Sequence, residues 1–251
     1  MVLTQATDRT VTSHNENMRL EQLQRVAVDA IKTNALRLAL RSPRAQAQVL
    51  TEYLWVEEGA ESTALERSKS VVPPAWLAKL IAAQLADERR HAGLLRARLA
   101  ELGTASPRKP PAIAHAKLWW IQRACAPYLD SFGAGPIVVF LAVAARFEAT
   151  GVRVFARHLA VLDPADPNAI MLREILADER RHAKSCAAAA KRMVRDDEQK
   201  IFRQLSARIA EIDRSFGVTL AVSHWVQVAA LAARDRLKGG RLLGSAAGAV
   251  S

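Results

Sequence analysis

Asp87-Glu88-Arg89-Arg90-His91-Ala92 recurs letter for letter as Asp178-Glu179-Arg180-Arg181-His182-Ala183, 91 residues later. Leu85-Ala86 precedes the first copy and Leu176-Ala177 the second. Six identical positions rarely coincide by chance in a chain of 251 residues, so the copies call for a shared task. In each copy a Glu and a His are three apart, a spacing that puts both on one face of a helix and lets them ligate one metal ion or two adjacent ones. That face is apolar. In the first copy it continues through Leu77, Leu80, Ile81, Gln84, Leu85, Leu95, Leu99 and Leu102. In the second it continues through Leu172, Ile175, Leu176, Cys186, Ala190 and Met193. An ionised carboxylate buried on such a stripe needs a partner or a cation. A salt-bridge network between helices would explain neither the two histidines nor the strict repeat.

If each such helix packs against its antiparallel predecessor, a further carboxylate should stand at equal height, with the connecting turn midway. Glu148 lies 31 residues before Glu179, and the midpoint falls at Asp163-Pro164. Glu57 lies 31 residues before Glu88, and the midpoint falls at Val72-Pro73. Glu148 shares the stripe Ile137, Leu141, Ala144, Val152, Phe155, Leu159 with no competing acid. Glu52, Glu57, Glu58 and Glu61 compete on the earlier helix; Glu57 shares the stripe of Leu50, Leu54 and Ala64, and Glu58 and Glu61 stay open as alternatives.

Periodicity and helix breakers extend this pattern to the whole chain. Helices are expected at about 19–41, 44–70, 75–102, 114–131, 136–161 and 168–195, and over 196–237 with an interruption at Gly217. The segment 1–17 reads as a flexible arm, 18–238 as one helical domain, and 239–251 as a flexible tail. Abundant Ala, Leu and Arg with 5% aromatic residues favour helix over sheet, so the chain is expected to be all-α. Cys125 and Cys186 are too few for a disulfide framework or a four-cysteine metal site, and the polar start does not read as a secretory signal; both point to the cytoplasm. The longest apolar run, Pro136 to Ala145, is about half of the roughly 20 residues that cross a bilayer, so no membrane span is expected. The net charge of +11 fits a polyanionic partner such as nucleic acid, but nine Lys and 27 Arg are scattered along every helix, as on solvated faces.

The set Glu57, Glu88, His91, Glu148, Glu179 and His182 comprises one Glu from each of two helices and a Glu-x-x-His from each of two others. It resembles the ferritin-like di-iron carboxylate superfamily over about residues 44–195. The resemblance implies a four-helix bundle with a long crossover between its halves, additional N- and C-terminal helices, and two iron ions, or a Mn/Fe pair, as cofactor. Asp87 and Asp178 are placed to accept the free ring N–H of the histidine of the other copy. The pattern Asp-Glu-x-Arg-His is similar to that of bacterial multicomponent monooxygenase hydroxylases, with Arg90 and Arg181 in the supporting places.

The resemblance implies an O2-activating oxidoreductase, foremost a monooxygenase with a small organic substrate and an electron donor. The demethoxyubiquinone hydroxylase and tRNA hydroxylase families share the compact plan. The alternative is a ferroxidase, a peroxide-reducing protein or an iron store, and a third reading is a bundle that binds metal without turnover. The four-cysteine domain of a rubrerythrin is absent, and the extra helices could wall a substrate pocket or form a homodimer interface. Trp55, Trp119, Trp120 and Trp225 read as core or interface anchors rather than a radical relay, His115, His158 and His224 as structural or exposed, and Cys186 as a small buried residue near the cluster edge.

Overall fold

The computed structural model describes the backbone of residues 4–68, 73–103 and 112–247, and the side chains of 21–59, 73–103 and 112–237. All regular structure among these residues is helical: α1 (Thr4–Ala39), α2 (Pro43–Ser68), α3 (Ala75–Glu101), α4 (Ala112–Cys125), α5 (Ile137–Leu159), α6 (Pro167–Met193), α7 (Gln199–Ser215) and α8 (Gly217–Ala247), with short 3-10 turns at Ala126–Tyr128 and Asp196–Glu198. The all-α expectation holds.

The boundaries follow local chemistry. Pro73 and Pro74 precede α3, and Pro74 stands at its N-cap position in an extended conformation, where a missing N–H costs nothing. The Asp166 carboxylate accepts from the Asn168 amide at 2.7 Å, with Pro167 in the first turn, so α6 starts sharply. Gly103 after α3 and Gly135 before α5 adopt φ of 71° and 76°, a region that glycine enters without steric cost. The interruption expected at Gly217 falls between α7 and α8. The backbone is already helical from Thr4, so the start expected at Arg19 has no counterpart in it; the side chains of the expected arm (1–17) and tail (239–251) lie outside the described residues.

Four helices form the central bundle. α2 packs on α3, α5 on α6, and α3 faces α6. Gln84 meets Cys186, His91 meets Asp178 and Arg98 meets Asn168, so α3 and α6 run antiparallel. Tyr53 of α2 stacks edge-on against Phe155 of α5, ring centroids 5.1 Å apart. Around this core α1 and α8 lie side by side and parallel, with Gly217 beside Val28 and the Trp225 indole N–H donating to Asn34 (2.7 Å), while Gln24 of α1 donates to the Arg214 carbonyl at the end of α7 (2.9 Å). α4 and α7 pair on the other flank.

Two apolar clusters fill the interior. One gathers Leu50, Leu54, Leu95, Leu99, Phe155, Leu172 and Ile175; the other gathers Leu77, Ile81, Ile121, Val138, Leu141, Leu205 and Ile209. Each fully buried aliphatic side chain contributes on the order of 1.5–3 kcal/mol. The repeated motif falls between the two clusters, so its polar groups are enclosed by packing on both sides.

The α8 region bears on the expectation of no membrane span. An 18-residue window within Asp196–Leu237 has a mean hydropathy of 1.5, enough by length and composition to cross a membrane, with 22% of it buried. Thr219, Ser223, His224 and Gln227 interrupt the apolar residues here, so a search for the longest uninterrupted run passes it by. Ala221, Val228, Leu231 and Ala232 pack inward, while Val218, Val222, Trp225 and Val226 are exposed.

Candidate metal centre

α2, α3, α5 and α6 each deliver a carboxylate to one level of the bundle. Glu57, Glu88, Glu148 and Glu179 are all buried, as are His91 and His182. Helical periodicity accounts for the delivery: Glu88 and His91, and Glu179 and His182, continue the apolar stripes of α3 and α6 and so point where those stripes point. Of the competing acids on α2, Glu52 bonds His224 at 2.8 Å and Glu58 bonds Arg96 at 2.7 Å, both away from the cluster, and the Glu61 side chain lies outside the described residues. Among the described residues, Glu57 is the α2 carboxylate in the cluster.

The six residues divide into two overlapping groups, each with one ligand atom per residue inside a 4.8 Å span. Glu57, Glu88, His91 and Glu179 form the first; Glu88, Glu148, Glu179 and His182 form the second. Glu88 and Glu179 belong to both. Each group alone can hold a metal ion, and the shared pair would link two neighbouring ions.

The histidines are oriented from behind. His91 Nε2 donates to Asp178 Oδ2 at 3.2 Å, and His182 Nε2 donates to Asp87 Oδ2 at 3.0 Å, so each copy of the motif orients the imidazole of the other. Arg181 holds both aspartates at 2.7 Å, and Arg90 hydrogen-bonds Asp178 and Glu174. With Nε2 carrying the proton, each Nδ1 turns a bare lone pair toward the carboxylates. His91 Nδ1 lies 3.4 Å from Glu57 and 3.7 Å from both Glu88 and Glu179. His182 Nδ1 lies 3.2 Å from Glu88, 3.8 Å from Glu148 and 3.9 Å from Glu179, and it is buried with no hydrogen-bond partner among the described residues. A buried acceptor facing other acceptors is costly unless a cation stands between them, and the donor set of four carboxylates and two imidazoles fits such a cation.

The electrostatics agree. Burial, then the charges of Glu148, Glu57 and Glu88, push Glu179 up to about 11. Burial and the charge of Glu88 push Glu148 up to about 7. Glu57 is raised well above the usual carboxylate range by burial and by Glu88. Burial works against ionising Glu88 too, but the imidazoles of His182 and His91 beside it outweigh burial and hold Glu88 low. Asp87 and Asp178, although partly desolvated, are held low by their histidine and arginine partners. Without metal, protons on the carboxylates do the neutralising that cations would do.

Two contributors escape the spacing argument. A Cβ on Gly151 would lie 2.6 Å from Glu179 Oε2, so this helical position leaves the carboxylate its room. An isolated glycine inside a strongly helical stretch, one turn past Glu148, was the available signal. Gln84 donates to Glu148 Oε1 at 2.7 Å and accepts from the Cys186 thiol at 3.4 Å. Shifted by the 91-residue repeat, Gln84 corresponds to Ile175 and Cys186 to Leu95, both fully buried. The approximate twofold symmetry of the cluster is therefore broken by one polar pair beside Glu148.

His115, His158 and the tryptophans lie outside the cluster. His158 accepts a hydrogen bond from the Tyr53 hydroxyl at 3.2 Å, and burial pushes its pKa down to about 4. Trp119 and Trp120 form an exposed edge-on pair on α4, and Trp55 stacks edge-on against His115. No protein-family model and no curated protein matches the chain.

Proposed function

We propose that the chain is a ferritin-like di-iron protein that activates O2 to oxidise, as a monooxygenase, a small organic substrate. The observation that carries this reading is the pair of four-residue groups sharing Glu88 and Glu179, which has the composition of a two-metal carboxylate site. When bound, a pair of irons supplies the redox equivalents and open coordination positions that O2 reduction needs.

The chain's own residues do the rest. Glu57, His91, Glu148 and His182 each belong to one half of the site, and Glu88 and Glu179 to both. Four carboxylates balance the charge of two divalent ions in an otherwise apolar interior. Asp87 and Asp178 keep the proton of each imidazole on Nε2, leaving Nδ1 as the donor atom. Leu95, Ile175 and Phe155 close the lower side of the cluster against water. Gln84 fixes the orientation of Glu148 on the side where the lining is polar. The Asp-Glu-x-Arg-His pattern and the layer of α1, α4, α7 and α8 around the bundle favour an enzyme over a minimal iron-storing bundle.

The test is O2 uptake by the iron-loaded protein. Sustained uptake that requires an electron donor and an organic acceptor supports the monooxygenase reading. Uptake that stops when Fe(II) is exhausted, with iron accumulating beyond two per chain, would replace it with ferroxidase and storage.

A further inference from the structure

Arg146, Arg153 and Arg157 are spaced seven and four residues apart on α5, and at 3.6 residues per turn they share the face opposite Glu148. That face is covered, because α1 and α7 pack against it and α4 packs on α7. Asp213 of α7 pairs with Arg146 at 2.6 Å and with Lys117 of α4. Arg157 pairs with Asp29 of α1, and Arg153 donates to the neutral hydroxyl of Thr150 at 2.7 Å. Lys32, three residues beyond Asp29 on α1, faces the same place. Five cations therefore converge on two carboxylates.

Lys32, Lys117, Arg146 and Arg157 sit in a half-buried setting, with Arg153 on its exposed side. The Arg157 and Lys117 side chains are 14% and 12% exposed. Lys32 has no carboxylate within ion-pair distance among the described residues. Burial first, then the positive charges of Arg157 and Lys117, push its pKa down to about 8, against the weaker pull of Asp213 and Asp29. Burial and the charges of Arg146 and Arg157 likewise disfavour the Arg153 cation. Uncompensated cations in a desolvated recess are unfavourable unless an anion joins them.

We propose that this recess binds the oxyanion group, phosphate or carboxylate, of a small ligand, held by Lys32 and Arg153 and flanked by Arg146 and Arg157. Two guanidinium forks and an ammonium supply the donors that an oxyanion's several oxygens accept. Lys32, Lys117, Arg146 and Arg157 are partly buried and come from three helices, with Arg153 on the exposed side, an arrangement that suits a single anionic group. The site lies across α5 from the metal cluster and does not depend on it.

Inorganic phosphate tests this in the metal-free, full-length chain, by thermal unfolding at ionic strength held constant with chloride. Phosphate should raise the midpoint saturably, by about 3–6 °C at ten times its dissociation constant. Lys32→Met and Arg153→Met should each lose that increment whatever their own baseline stability, while Arg25→Met on the exposed face of α1 keeps it. No increment beyond chloride in the unmodified chain, or an equal increment in Lys32→Met, would overturn the proposal.

Discussion

Glu179 depends on the missing side chain of Gly151, one helical turn past Glu148. Gly151→Ala would set a methyl group 2.6 Å from its Oε2, inside contact distance, so the carboxylate or the α5–α6 packing must shift. The expected result is a loss of about 1–3 kcal/mol of stability, read by chemical denaturation of the metal-free protein, with weakened metal binding in titration. The aspartates behind the imidazoles act on affinity instead. Asp178→Asn keeps the shape but can present its amide N–H to His91 Nε2, releasing the tautomer, so metal affinity should fall by about 10–100-fold while the fold persists by circular dichroism. Both effects rest on single atoms, which is why spacing alone found Asp87 and Asp178 but not Gly151. A carboxylate or an imidazole announces chemistry, whereas the absence of a side chain does so only once its neighbour is known. Gln84 was visible as a polar residue on the inward stripe of α3, and its meaning came from the position of Glu148.

Among the elements, α6 has the clearest local instructions. Asp166 caps it, Pro167 fixes its first turn, and the stripe Leu172, Ile175, Leu176, Glu179, His182 runs down its buried face. Asp166→Ala leaves the Asn168 amide without its acceptor and should cost about 0.5–2 kcal/mol by thermal unfolding, leaving metal stoichiometry unchanged. The helices of the bundle were legible because proline, glycine and matched 31-residue spacings punctuate them. α1 was legible in its apolar-periodic part only, because helix propensity carries the backbone on through the polar residues before Arg19 without a breaker. The parallel pairing of α1 with α8 left no trace in periodicity. It joins helices far apart in sequence through pairs such as Trp225 with Asn34, which no spacing rule connects.

For the molecule as a whole, the site makes stability and metal binding depend oppositely on pH. Glu148 at about 7 and Glu179 at about 11 keep protons in the metal-free fold that the unfolded chain, with carboxylates near 4.5, releases. Groups raised by folding contribute stability that is present in acid and lost as pH rises through the folded value. His91 and His182, raised by their carboxylate partners despite burial, act with the same sign. His158, lowered to about 4 by burial, acts with the opposite sign but is largely spent above 6.5. Between pH 6.5 and 8 the metal-free protein should therefore melt at falling temperature. Added metal should stabilise it increasingly over the same range, because the ligands must be deprotonated to bind. Melting curves with and without a chelator at the two pH values check both slopes.

The most direct measurement of the two-metal site is an anaerobic Fe(II) titration of the purified chain followed by equilibrium dialysis. Two ions per chain are expected in the unmodified protein and in Glu58→Ala. One is expected in Glu57→Ala, which disables one half of the site, and none in Glu179→Ala, whose carboxylate belongs to the two halves. A single ion per chain, or two ions that survive Glu179→Ala, would contradict the two-metal site.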